Sequence, residues 1–153
     1  MEVIRYAADG WGVGEIVLDG DLLLHSEHPQ ARSGTVPGRA LSPLADRLRA
    51  YFAGERDEFL DVELDLDGAT PFQSAVVHAM RSIPYGELAT YGEVAALAGH
   101  PGAQRAVGNV CAHNRWAVVV PCHRIVSADG LGPYGSLGPS YKRRMLELEG
   151  AAL

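Results

Sequence analysis

Four consecutive residues, Pro121-Cys122-His123-Arg124, bring together the side chains that thiol chemistry requires. A cysteine reacts as its thiolate, and a free thiol with a pKa near ~8.5 is mostly protonated at neutral pH, so a nucleophilic cysteine needs a base or a positive charge close by. His123 offers the first and Arg124 the second. Pro121 cannot donate to a sheet ladder. The apolar run Val118-Val119-Val120 is therefore expected as a buried strand that stops there and delivers Cys122 to a strand-end turn. Adjacency alone leaves a second reading equally open, a buried structural cysteine beside a capping histidine, because consecutive strand side chains point to opposite faces.

Other patterns say less about chemistry. His25 and His28 lack a third or fourth metal ligand, and read better as loop or strand-end histidines. The acids of residues 61–67 alternate with Val62, Leu64 and Leu66, which describes the solvated face of a half-exposed strand. Gly130, Gly132, Gly135 and Gly138 fall in a loop at 129–139, and no Lys-Ser/Thr follows them in the register of a phosphate cradle. Glu149 is expected at the carboxyl end of a helix, where the helix dipole disfavours negative charge. It calls for a cation or base as partner.

With 153 residues, 47% apolar and 21% charged, the chain is long enough for one ordinary domain or two small ones. It has no apolar stretch near ~18 residues and no charged-then-apolar amino terminus, so neither a membrane span nor a signal peptide is indicated. Two cysteines, Cys111 and Cys122, make no disulfide framework, and a free reactive thiol fits a reducing cytoplasm. Net charge is uneven. Residues 1–70 carry six Arg and fourteen Asp or Glu, a balance of −8, whereas residues 71–153 carry six Arg, one Lys and five acids, a balance of +2. A polyanionic partner would have to meet the second half, with an affinity that falls with salt.

The positioning elements follow from capping and periodicity. Gly14-Glu15-Ile16-Val17-Leu18 and Leu22-Leu23-Leu24-His25 flank Asp19-Gly20-Asp21, a hairpin signal. Residues 26–41 show no period and read as a surface loop. Ser42 caps a helix with Pro43 at its first position, burying Leu44, Leu48, Tyr51 and Phe52 and stopping at Gly54. Gly68-Ala69 marks the boundary where acidic character ends. Thr70 and Gln73 form a capping box, with Phe72, Val76 and Met80 as the buried stripe. Residues 82–86 turn the chain. Thr90 and Glu93 form a second capping box for a short helix, Tyr91–Leu97, which Gly99 ends. A further helix is expected from Pro101 through Arg105 to about Ala112. Two short helices joined by a glycine-containing turn fit a helix-turn-helix. On the second, Gly102, Ala103, Ala106 and Gly108 are small and Arg105 is the one long cation, suiting close approach to a groove. Ser140 is expected to cap a last helix, 141–149.

Several of these stretches together resemble the methylated-DNA–protein-cysteine methyltransferases, or O6-alkylguanine-DNA alkyltransferases. They are Pro-Phe-Gln at 71–73, Ile-Pro-Tyr-Gly-Glu at 83–87, Tyr91, Ala-Ala-Leu-Ala-Gly at 95–99, Arg-Ala-Val-Gly at 105–108, Asn114, Pro-Cys-His-Arg at 121–124 and Leu-Glu-Gly at 148–150. The resemblance spans about residues 44–150. It implies an α/β protein: a ribonuclease-H-like amino-terminal subdomain with an antiparallel sheet (1–68), then a mostly helical domain with the helix-turn-helix and active site (69–153). It implies single-turnover repair, in which the alkyl group of O6-alkylguanine moves to Cys122 from a flipped base, with O4-alkylthymine open as a second substrate. His123 would take the thiol proton through a water, Glu149 would orient the imidazole, and Asn114 would support the turn before the site. Tyr91 would donate to guanine N3 and crowd the target phosphate. Arg105 would fill the gap left by the flipped base, with Ala103, Ala106 and Gly108 against the minor groove. Ile125, Tyr134 and Gly135 would line the substrate pocket, the carbonyls of Cys122 and Ile125 receiving the guanine amine and the Gly135 amide facing O6. No cofactor and no metal are expected, and the partner is double-stranded DNA met by a monomer, with no membrane.

The chain departs from the family pattern at Arg115 and Ala117, where prolines are usual, with Trp116 between them, and at Val77, where Trp is frequent. These positions are expected beside the pocket. The competing reading is an alkyltransferase-like protein that binds the lesion without accepting the alkyl group; such proteins commonly lack the cysteine. A thiol hydrolase built on Cys122 and His123 is a third reading, disfavoured because adjacent residues rarely form such a dyad.

Overall fold

The computed structural model describes residues 1–31 and 42–153. Its contacts divide the chain into two units, Met1–Asp65 with Arg115–Val119 and Leu66–Asn114 with Val120–Leu153. Where the sequence suggests a boundary at Gly68-Ala69, the division falls at Asp65, and a short later segment returns to the first unit.

In that first unit, strands β1 (Glu2–Ala8), β2 (Gly12–Asp19) and β3 (Leu22–Gln30) form an antiparallel meander. Gly20 adopts φ 60° in the two-residue turn between β2 and β3, which glycine does at little cost. Alternation buries Ile4, Tyr6 and Ala8 of β1 with Ile16 of β2 and Leu23 of β3. Gly14 lies opposite Tyr6, and a Cβ there would sit 2.3 Å from the Tyr6 ring; only glycine lets that ring cross the neighbouring strand. Helix α1 (Pro43–Phe52) begins as the sequence predicts, with the Ser42 side chain accepting from the Ala45 amide and Pro43 in the first turn. Its buried stripe of Leu44, Leu48, Tyr51 and Phe52 packs beside β1.

Three expectations in this unit are corrected. The third strand runs on to Gln30 instead of breaking at residue 26, because a register shift between Val13 and Glu15 gives β3 an extra residue around Pro29, and a bulge accommodates the missing proline N–H. The rest of the loop assigned to 26–41 lies, from 32 to 41, outside the described residues. The strand expected over 61–67 shrinks to β4 (Glu63–Leu64), parallel to Leu22 and Leu23, and Leu66, beyond its end, is exposed. The run 118–120 is buried but is not a strand. Trp116 forms an isolated bridge to Ser26, and Val118 then takes φ 74°, outside the extended region.

The second unit is helical. Helices α2 (Pro71–Arg81) and α3 (Tyr91–Leu97) both start with complete capping boxes, Thr70 with Gln73 and Thr90 with Glu93. Val76 and Met80 of α2 are buried, while Phe72 is half-buried edge-on to His100. Helix α4 (Gln104–Ala112) begins three residues later than expected, because Pro101 and Gly102 are spent in the turn, with Gly102 at φ 88°. Helix α5 (Gly138–Leu148) begins two residues before the expected cap at Ser140, with Pro139 in its first turn, where a missing N–H costs nothing. Strands β5 (Ala89–Thr90) and β6 (Ile125–Val126) pair in parallel and tie the start of α3 to the chain just after Cys122.

Candidate active site

Cys122, His123 and Arg124 form one 3-10 turn. The Cys122 amide donates to the Val120 carbonyl (2.9 Å) and the Arg124 amide to that of Pro121 (3.0 Å). Three residues per turn fan the side chains apart, so three successive residues reach three different sets of partners. All three are buried, with His123 fully enclosed.

His123 and Arg124 both reach Glu149, the C-terminal cap of α5. His123 Nε2 lies 2.8 Å from Glu149 Oε2, Arg124 donates through Nε to Oε1 and through Nη2 to Oε2 (both 2.9 Å), and the Gly86 amide donates to Oε1 at 3.2 Å. Gly86 sits at φ 80° in a turn closed by the Glu87 amide donating to the Pro84 carbonyl, a backbone that suits glycine. Burial by itself would raise the Glu149 pKa. The hydrogen bonds from His123 and Arg124 outweigh it and hold the carboxyl well below the usual carboxylate range. Arg124 therefore supplies the cation that an acid at a helix C-terminus needs. An ionised carboxylate only accepts hydrogen bonds, so Nε2 carries the proton and Nδ1, also buried, is the basic nitrogen. Burial lowers the His123 pKa against the pull of Glu149, so the imidazole is neutral at neutral pH.

Asn114 follows α4 and reaches Cys122. Its Nδ2 donates to the Val120 carbonyl (3.0 Å) and to Cys122 Sγ (3.3 Å). Burial pushes the Cys122 thiol up, opposed by hydrogen bonds from Asn114 and Tyr134 and by the charge of Lys142. At neutral pH the sulfur is therefore a thiol.

Tyr91, at the first position of α3, is half-buried between three elements. A Cβ on Gly108 would lie 3.9 Å from one ring edge and a Cβ on Gly132 3.6 Å from the other, and Lys142 Nζ is 5.9 Å from the ring centroid. Burial, then the thiols of Cys111 and Cys122, push its phenol up to about 12; it stays protonated and can donate. On α4, Arg105 and Ala106 are exposed and Gly108 is partly covered, as is Ala103 at the N-cap just before the helix. Ile125 and Tyr134 are buried, and Gly135 is exposed at φ 49°. Among the described residues no three His, Cys, Asp or Glu side chains gather to hold a metal ion. His25 instead faces Glu27 at 3.1 Å.

Residues 71–151 match the family model described as 6-O-methylguanine DNA methyltransferase, DNA binding domain. A methylated-DNA–protein-cysteine methyltransferase of Mycobacterium tuberculosis is 48% identical over 139 residues, covering 90% of this chain and 82% of that protein. This chain belongs to the methylated-DNA–protein-cysteine methyltransferase family. A Salmonella typhimurium methyltransferase of the same name is 36% identical over 99% of this chain and 87% of its own. The crystal structure of Mycobacterium tuberculosis OGT in complex with DNA superimposes with a TM-score of 0.80 at 40% identity, over 97% of this chain and 92% of that one. As expected of an alkyltransferase, the fold is mixed α/β, with the antiparallel sheet first and the helices after it.

For this methyltransferase family member, sequence reasoning took Arg124 as the charge beside the thiol, whereas it pairs with Glu149, and it left a second buried cation, Lys142, unread. Arg124 stands in the Pro-Cys-His-Arg motif, yet its role depends on Glu149, twenty-five residues away. Lys142 was visible in the helical period, three and four residues before the buried Met145 and Leu146. Arg115 and Trp116 are engaged in the first unit: the Trp116 indole donates to the Leu23 carbonyl (3.0 Å), and Arg115 stacks over that indole at 4.6 Å and donates to the Asp65 carbonyl.

Proposed function

We propose that this protein repairs alkylated DNA by moving the alkyl group from O6 of guanine to Cys122 Sγ, once per molecule. The observation that carries the reading is the buried cysteine held by Asn114 beside a neutral His123 oriented by Glu149. A soft sulfur suits displacement at an sp3 carbon. The thiol proton passes through a water to His123 Nδ1, and Glu149 stabilises the imidazolium. The sulfur lone pair forms the S–C bond, the C–O6 bond breaks with its electron pair going to guanine, the Tyr91 hydroxyl steadies the leaving base by a hydrogen bond to N3, and water returns the proton held on His123 to guanine.

The substrate reaches the cysteine as a flipped base. Arg105, exposed on α4, fills the vacated stack, and Ala103, Ala106 and Gly108 allow that helix to approach the minor groove; Tyr91 crowds the target phosphate. Ile125, Tyr134 and the Gly135 amide shape the pocket. The Cys122 carbonyl already accepts the Ile125 amide and keeps a second lone pair for the guanine amine. In this reading the protein acts as a monomer, and a nucleophilic thiol fits the cytoplasm.

Mass spectrometry after incubation with duplex DNA containing O6-methylguanine is the test. One methyl group is expected on Cys122, absent in Cys122→Ala. Lesion binding by folded protein with no methyl adduct would instead identify a lesion-binding protein.

A further inference from the structure

Lys142 is fully buried on α5, and alkyl transfer as described makes no use of it. Its Nζ donates to the Pro133 carbonyl (3.3 Å) and lies 5.9 Å from the Tyr91 ring centroid. Among the described residues no carboxylate pairs with it. The titratable groups that face it are two thiols, Cys122 from the 3-10 turn and Cys111 from α4, and the Tyr91 phenol from α3. Lysine is almost never fully enclosed without a partner, because an ammonium loses its hydration there. One carbonyl and one ring replace little of that hydration. Burial lowers the Lys142 pKa and raises that of Cys122, and each group offsets the other's shift. Of the two thiols, Cys122 bears on Lys142 the more strongly and its Sγ receives the Asn114 amide, whereas the Cys111 sulfur meets Met80 Sδ.

We propose that Lys142 is the counter-charge of the Cys122 thiolate, a positioning residue held by the Pro133 carbonyl and the Tyr91 ring so that its field stabilises the sulfur anion at the moment of transfer. The inference rests on Cys122 being the nucleophile. In the balanced step, the thiol proton goes to His123 and Lys142 keeps its three protons throughout. The sulfur becomes a neutral thioether as the C–O6 electron pair leaves with guanine. Transfer therefore removes the anion that Lys142 faces, and the alkylated protein holds an ammonium with no counter-charge.

The test is the pH dependence of Cys122 alkylation by iodoacetamide without DNA, read by peptide mapping, in the wild type, Lys142→Arg and Lys142→Met. Lys142→Met is expected to raise the midpoint by about one pH unit or more, a tenfold loss of thiolate below it. Lys142→Arg should stay within about 0.3 unit of the wild type, because the charge is kept. A slower reaction with the same midpoint in all three proteins overturns the proposal. A second measurement needs no variant: the carbon-13 Cε resonance of Lys142, titrated before and after methylation of Cys122 by alkylated DNA. The midpoint should fall on methylation, and an unchanged midpoint overturns the proposal. Methyl transfer to a residue other than Cys122 sinks the functional reading itself. Transfer to Cys122 with unmoved midpoints sinks only the role of Lys142.

Discussion

Glu149 shows how much one side chain can organise, since His123, Arg124 and the Gly86 amide all meet on its carboxylate with no solvent exposure. Removing one partner of a buried ion pair leaves an uncompensated charge and costs about 3–5 kcal/mol. Arg124→Met is therefore expected to lower the unfolding free energy by that amount in urea titrations; a loss below about 1 kcal/mol would mean that Arg124 is dispensable. Acid stability follows from the same cluster. His123 has a folded pKa below its ordinary value of about 6.5, so below that pH the unfolded chain binds more protons and stability falls with pH. Glu149 is depressed as well, so its contribution is complete above the ordinary carboxylate value and drains away below it. The melting temperature should thus fall in two stages on acidification, first below about pH 6.5 and again below about pH 4.5. A melting temperature flat from pH 7 to 5 contradicts the neutral His123 assigned here.

At the scale of elements, α3 is a seven-residue helix that holds Tyr91 in its first turn, and so short a helix depends on its ends. Thr90→Ala removes the cap and should cost about 1 kcal/mol, with Thr90→Ser close to the parent; thermal melts of the three proteins decide it. Helix α4 presents Arg105 to solvent. Arg105→Ala is expected to slow repair of duplex DNA far more than reaction with free O6-methylguanine, and equal losses on both substrates would remove Arg105 from base flipping. Both capping boxes and the small face of α4 were legible because they are local patterns. The geometry of Cys122 was not. Val118-Val119-Val120 has a strand's composition, but the chain is diverted by Trp116 pairing with Ser26 and by Val118 at positive φ.

Across the whole molecule, charge is where sequence and structure part most clearly. The second half of the chain carries +2 by sequence, but Arg115 makes its contacts in the first unit and Asp67 belongs to the second, which leaves the second unit with no net charge. Contact with DNA then rests on a few exposed cations, and Arg105, Arg143 and Arg144 are exposed. About two or three phosphate contacts give a slope near −2 to −3 in log affinity against log salt, and a slope steeper than about −6 would require a basic surface this unit lacks. The sequence alone determined the family and the helix caps at Ser42, Thr70 and Thr90, because each is written in neighbouring residue types and their spacing. Tertiary structure decided which cation meets Glu149, that His123 is neutral with its basic nitrogen at Nδ1, and that Lys142 is enclosed beside two thiols. Those facts depend on burial and on partners far apart in the chain, and desolvation acts only once the chain has closed around them. Cys122 itself could be named from the sequence; the charges that set its reactivity could not.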